Sequence, residues 1–344
     1  MRTPPEGRRP RRVGDRLMIA LTLAAGILLV AVLGLVLAVL ARGGAPAFSK
    51  FGLGFLTSSQ WDPPHQQFGA LPFIFGTLIT SSIALVLSVP VAVGLAVLLN
   101  EPISAKITGP LATFIDVLAA IPSVVFGLVG LFVLAPWLEQ HVEPLLHSVF
   151  GWIPVAGKLF PSLSRNTDGQ IVGAGGDFFV AGVVLSIMIL PIVTAISREV
   201  VATVPRDLRE AAKALGATRY ETIRIAVLPY SAQGIAGAAF LGLGRALGET
   251  IAVSMLIGGG ASLGASLFAP GQSMAAAIAS QYNGATNALQ RSSLLALGVI
   301  LVACSFALAA LSKAFVGRGA RRMEAAVSDP IEPDSGRPVT AEAA

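Results

Sequence analysis

Charge is what this chain has least of: only 12% of its 344 residues are Asp, Glu, Lys or Arg. A soluble domain averages about 25%, so there is too little polar surface here to coat a water-soluble particle. Cysteine is nearly absent. The single thiol, Cys304, has no intrachain partner, which excludes a disulfide-framed secreted scaffold. No low-complexity period occurs, and 54% of residues are hydrophobic with a mean hydropathy of +0.76. Disorder, collagen and coiled coil are thereby excluded. Nucleotide and metal motifs are missing too. Gly151 to Gly157-Lys158 places five residues between glycines where a phosphate-binding loop has four, followed by Leu159 in place of Ser or Thr. Gly242-x-Gly244 meets Leu247 where a dinucleotide fingerprint needs glycine, and no strand precedes it. His141, Glu143 and His147 match no metal spacing on one helical face. No cofactor and no metal are expected, and the chain has no ATP-binding motif of its own.

What is present is a set of long apolar runs. A helix needs about 20 apolar residues to cross the hydrocarbon core. Leu17–Ala41, Phe73–Leu99, Phe178–Ser197 and Ser292–Ser312 contain no ionisable group. Leu111–Leu138 contains only Asp116, and Ala232–Ile257 contains only Arg245 and Glu249. The expectation is an all-α polytopic membrane protein with six transmembrane helices. Pro90, Pro122 and Pro191 fall within these runs, which membrane helices tolerate when neighbours satisfy the freed carbonyls.

Charge distribution gives the orientation. With six spans both termini share a side, and 18 of the 24 Lys and Arg residues then fall on that side. Five (Arg42, Lys50, Lys158, Arg165, Arg291) fall on the other. The positive-inside rule makes both termini cytoplasmic. The net charge of +5 is thus topological, and no nucleic-acid partner is expected. Residues 1–16 read as a basic cytoplasmic N-terminus and 17–41 as an uncleaved anchor helix. The sequence Ala45-Pro46-Ala47 looks like a cleavage site, but the preceding apolar run is too long for a signal peptide.

Three connections are informative. Residues 137–177 carry Trp137, Leu145, Leu146, Phe150 and Trp152, and read as an external loop with an interfacial helix. Residues 258–290 are external, rich in Gly, Ala and Ser, and partly re-entrant. Residues 317–344 read as an unstructured cytoplasmic tail. The cytoplasmic stretch 198–230 says most. Pro205 opens a helix with Asp207 near its positive end. Leu208, Ala211, Ala212 and Leu215 form one stripe at i, i+3, i+4 and i+7. Gly216 is the expected terminator, Thr218 to Glu221 is a capping box opening a second short helix, and Pro229 closes it. An apolar stripe exposed to the cytoplasm implies a protein partner.

Glu210-Ala211-Ala212, Gly216 and Leu228-Pro229 resemble the EAA loop of binding-protein-dependent ABC importer permeases, with Ala226 where that pattern has Ile. The resemblance implies the type I importer permease fold over residues 68–316, in a bacterial plasma membrane. It also implies that this loop docks on a separate ATPase subunit.

The fifth span holds Arg245 and Glu249. Charged groups in a span cost roughly 2.5–3.5 kcal/mol each on insertion scales and are functional suspects. At i and i+4 they can pair on one face, or Arg245 can be tied to Asp116. Gly244 and Gly248 form a small-xxx-small pair that admits a neighbouring backbone. Arg245, Glu249, Thr250 and Asp116 are the translocation-pathway candidates, with Arg245 as the anion-holding guanidinium. The segments 242–253, 119–128 and 228–237 are similar to the phosphate-specific branch of the family. That implies inorganic phosphate as cargo, a second permease subunit, two ATPase subunits and an external phosphate-binding protein. Sulfate or molybdate import on the same fold is the nearest alternative. An ion-coupled secondary transporter is the next, but it should show repeat halves, which are not seen.

Overall fold

The computed structural model describes residues 13–101, 105–153, 156–161, 176–261, 263–264 and 266–328. Among these, six helices are long and apolar enough to cross a membrane: Gly14–Phe51, Leu71–Asn100, Ser123–Phe150, Phe178–Ala202, Arg219–Gly248 and Ala288–Ala314. They are called the first to sixth spans below. The expected number is met, but two spans are displaced from where hydropathy put them.

The second and fourth spans form the centre of the bundle. Along the second span Phe73, Thr77, Ser81, Ala84, Ser88, Ala92 and Ala96 are buried at three- and four-residue intervals. In lipid no hydrophobic force drives one apolar helix onto another, so close van der Waals packing must do so, and small residues permit it. Gly182 of the fourth span lies under Ile83, where an added Cβ would come within 2.6 Å. Gly242 of the fifth span meets Val193 in the same way, at 2.7 Å. The first span differs. Its N-terminal two thirds exposes Leu21, Ile27, Leu28, Leu35 and their neighbours, as a lipid-facing helix should. Only its far end packs, with Gly44 against the backbone of Ala296 and the Ala47 N–H donating to Ser292 Oγ at 2.9 Å.

The third span does not start at Leu111. Residues Ala105–Ala120 form a separate helix, Pro122 is extended at ψ 142°, and the span begins at Ser123. Proline disfavours the helical conformation of the residue before it, so Pro122 breaks the run instead of being carried inside it. The span then continues through Trp137, His141, Glu143 and His147 to Phe150, a stretch read above as external loop. Trp152, just beyond, is well exposed. Asp116 therefore lies on the preceding helix and outside the span.

Three π turns share one cause. Gly130–Leu134, Leu138–Val142 and Ile223–Val227 each end two residues before a proline, respectively Pro136, Pro144 and Pro229. In each the residue just before the proline donates to the carbonyl five residues back, as Leu228 does to Ile223. A proline ring clashes with the carbonyl four residues earlier, and a widened turn moves that carbonyl aside. Pro229 thus closes nothing. The second loop helix runs straight through it into the fifth span.

On the side opposite the 206–218 loop, Gly258 and Gly271 pair in an isolated bridge, and Met274–Gln281 forms a short helix with Met274 to Ala277 buried. Met274 N–H donates to Thr77 Oγ1 at 2.9 Å. Trp61 of the Trp61–Asp62/Gln67–Phe68 hairpin donates to Gln281, and Gln281 in turn to Gln272. The sixth span continues as helix to Ser328, well into the stretch read as tail from 317. Residues 329–344, like 1–12, lie outside the described ones.

Candidate functional site

Two regions hold the residues that the sequence singles out, at opposite ends of the fifth span. The first is the loop after the fourth span. Arg206–Ala214 is a helix with Asp207 in its first turn and Lys213 in its last, both favourable to the helix dipole. Gly216 has φ +86°, the left-handed conformation that glycine enters at no steric cost. The Ala217 N–H donates to Ala212 O at 3.1 Å and the Gly216 N–H to Lys213 O at 2.9 Å. That pair of bonds is a Schellman termination. The next helix opens on a complete capping box: Glu221 N–H donates to Thr218 Oγ1 at 3.3 Å, and Thr218 N–H to Glu221 Oε2 at 2.8 Å.

Of the expected stripe, only Ala212 is turned inward. Leu208, Ala211 and Leu215 are exposed, Leu215 at 89%, together with Glu210, Tyr220 and Ile225. Leu228 is half-buried and Pro229 exposed. An apolar surface of this kind beside charged Glu210 and Lys213 is left uncovered among the described residues.

The second region is the far end of the fifth span. The helix stops at Gly248; Glu249 is extended (φ −68°, ψ 130°), Thr250 Oγ1 donates to Gly248 O at 3.1 Å, and a new helix runs from Ile251 to Leu256. The expected shared face and pairings are thereby corrected, while the place of Arg245 toward the far end of the span is as expected. Arg245 is in the last turn of the helix, well beyond the middle of the span, where the negative end of the dipole favours a cation. Arg245 and Glu249 do not share a helical face, because the helix ends between them. Ion pairs among the described residues are His65–Asp62 and Arg209–Glu101, so neither the Arg245–Glu249 pair nor a tie from Arg245 to Asp116 is formed. Arg245 is instead exposed on the chain's surface beside Gly244 and Gly248, both with open space around them. The close approach expected of those two glycines is made by Gly242. Asp116 lines a cavity of about 270 Å³ with Thr194, Arg198 and Glu199, at the loop end of the bundle. It is not brought near Arg245.

Two features escaped the sequence reading. Arg209 reaches back to Glu101 and to the fourth span, a link between residues 108 positions apart that no local pattern reveals. Glu143 is fully buried, and neither oxygen has a hydrogen-bond partner among the described residues. Its polar neighbour is Asp177, whose Oδ1 accepts the Val180 N–H at 2.7 Å and caps the fourth span. Burial pushes the Asp177 carboxyl up to about 6, against the pull of its backbone hydrogen bonds. The spacing Trp137–His141 and Glu143–His147, four residues each, was the available sign that the helix continues through this stretch.

Comparison with known proteins places this geometry. Residues 88–323 match the family of binding-protein-dependent transport system inner membrane components. The chain belongs to that family. It is 42% identical over 299 residues to a Mesorhizobium japonicum protein named phosphate transport system permease protein PstC, covering 87% of this chain and 89% of that one. The Pasteurella multocida protein of the same name is 41% identical, with 83% and 86% covered. A Mycobacterium tuberculosis protein named PstC 2 is 40% identical, with 90% and 94% covered. Among solved structures, a bacterial alginate ABC transporter in complex with its alginate-bound periplasmic protein aligns with TM-score 0.59 at 17% identity, covering 88% of this chain and 95% of that one. At that identity the likeness concerns the fold, an ABC importer permease of six spans.

Proposed function

We propose that this chain is the permease subunit of an ATP-driven importer of inorganic phosphate. The observation carrying the substrate is the identity of about 40%, over most of the chain, to relatives named as phosphate permeases. The alternative of sulfate or molybdate on the same fold has no comparable support. ATP is hydrolysed on a separate subunit that docks on the exposed face of residues 206–225, where Leu208, Glu210, Ala211, Leu215 and Tyr220 lie uncovered. The complete importer holds a second permease subunit, two ATPase subunits and an external phosphate-binding protein.

Both termini are cytoplasmic in this reading, in a bacterial plasma membrane. Closure of the ATPases on ATP pushes the 206–218 loop and opens the pathway outward to receive phosphate from the binding protein. Phosphate carries one to two negative charges at neutral pH, and a wholly apolar passage would exclude it. Arg245, at the outer end of the fifth span, presents a guanidinium that holds an oxyanion with two parallel bonds. Glu249 and Thr250 follow it on the break, and Glu249 limits how tightly the anion is held. Asp116 serves the loop end of the bundle in this scheme, away from the first contact with the anion.

The test is uptake of labelled phosphate, sulfate and molybdate by cells whose own phosphate importer permease has been replaced by this chain, with its cognate ATPase and binding protein supplied. Saturable, ATP-dependent uptake of phosphate alone is expected. Uptake of sulfate or molybdate in preference to phosphate would overturn the substrate. A reporter fused within 206–224 that reads as external would overturn the orientation and the ATPase contact together.

A further inference from the structure

The loop helix Arg206–Ala214 has two faces with different partners. Outward lie Leu208, Glu210, Ala211 and Leu215; inward lie Arg209 and, three residues on, Ala212. The Arg209 guanidinium makes two contacts with different spans. One nitrogen donates to Glu101 Oε1 at 3.3 Å, just past the end of the second span, and the other to the Val201 carbonyl of the fourth span at 3.1 Å. Both side chains of the ion pair are about four-fifths covered, at 20% and 18% exposure. Those two span ends are themselves joined. Asn100 Nδ2 donates to Ala96 O at 2.9 Å within its own helix and to Arg198 O at 3.0 Å across to the fourth span. Beneath this junction Val201, Val204 and Val227 pack with Val97 and Tyr230.

We propose that Arg209 is the positioning residue through which movement of the loop helix reaches the membrane spans. A planar fork can hold a carboxylate on one element and a carbonyl on another at once, which a lysine ammonium on a flexible stem does poorly. With Asn100 already joining the second span to the fourth, the fork makes three elements move as one body. A push on the outward face is then delivered to the two helices that form the centre of the bundle. Without Arg209 the loop helix keeps its ATPase surface but turns about Pro205 and Gly216 without displacing the spans.

This inference rests on the ATPase contact proposed above, and the experiment separates the two. The importer is co-expressed with all its subunits and reconstituted in vesicles. Three quantities are read for the parent, Arg209→Gln, Glu101→Gln, the double variant and Arg209→Lys: ATPase subunit retained, ATP hydrolysed, and phosphate moved per ATP. Each glutamine variant is expected to retain its ATPase while moving roughly tenfold less phosphate per ATP, within the range of measured side-chain couplings. The double variant should fall no further than the worse single one, and Arg209→Lys should lie between parent and Arg209→Gln. Parental transport per ATP in both single variants, or losses that simply add in the double, would overturn the inference. A parent chain that retains no ATPase would overturn the proposed function first, and this inference with it.

Discussion

Two interruptions bracket the fifth span, at Gly216 and at Gly248–Thr250, and they break the helix by different means. At Gly216 the break is local. A left-handed φ of +86°, two Schellman hydrogen bonds and a capping box all arise from residues within ten positions of one another. At Gly248 no residue has a positive φ, no capping box follows, and Glu249 is ordinary extended backbone. Beyond the second break the chain packs closely on a neighbouring span. Gly127 of the third span lies against Ala252 of the short helix beyond, where an added Cβ would meet Ala252 Cα at 3.1 Å. Local chemistry can be read from a sequence; a close contact with a distant helix cannot.

The largest effect expected is at the second interruption. Arg245→Gln should abolish phosphate uptake while the subunit still inserts and retains its partners, and Glu249→Gln should impair uptake. Because Arg245 makes no ion pair within the described residues and is exposed, removing its charge leaves no buried partner stranded. Loss of transport would therefore not follow from loss of folding. Labelled-phosphate uptake normalised to membrane-inserted protein is the measurement. Near-parental uptake would show that the exposed guanidinium is not on the pathway.

Gly216→Val tests the first interruption. An added Cβ there meets no atom within 4 Å, so the cost is backbone strain alone, about 1–2 kcal/mol for a residue held left-handed. Insertion should be normal while the ATPase is lost or idles. Gly216→Asn, which tolerates this conformation, should retain most of the coupling. Equal activity of both variants and parent in phosphate-dependent ATP hydrolysis would mean that the turn can relax without consequence.

Much of the architecture was legible for the same reason that Gly216 was. Uninterrupted apolar runs are long enough to force six helices, and the loop between Pro205 and Leu228 carries its own caps. The failures have a physical pattern. Pro122 and Pro229 exchange the roles expected of them. Ile223–Val227 widens, so Pro229 is carried through; at Pro122 the chain turns extended instead. Arg245 and Glu249 were paired on the assumption that helix continued through Gly248. Glu143 and Arg209 answer to partners 34 and 108 residues away, Asp177 and Glu101, which periodicity cannot see.

Gly242→Val probes the tertiary kind of constraint directly. The new side chain would run into Val193, where even a Cβ comes within 2.7 Å. Overpacking of this sort costs roughly 1–3 kcal/mol, so the variant should melt earlier in detergent than the parent. Gly244→Val, on the open face of the same helix, should melt close to it. If the two variants melt together, the fourth and fifth spans separate easily and Gly242 is not a contact that the fold requires.

The smallest effect belongs to Asp177, and its sign is what matters. Burial raises this carboxyl to about 6 from the ordinary 3.8, whereas the Val180 N–H and the neighbouring Glu143 pull the other way. A raised carboxyl holds its proton more tightly folded than unfolded. Its contribution is complete below about pH 4 and is lost as pH rises through 6. Asp177→Asn keeps an N-cap acceptor, since Asn caps about as well as Asp, but it has no charge to bury. The melting temperature of the variant relative to the parent should therefore climb between pH 4 and 6.5 and level off above. The opposite trend, with the parent gaining on the variant as pH rises, would mean that the helix N-terminus stabilises the Asp177 anion more than burial opposes it.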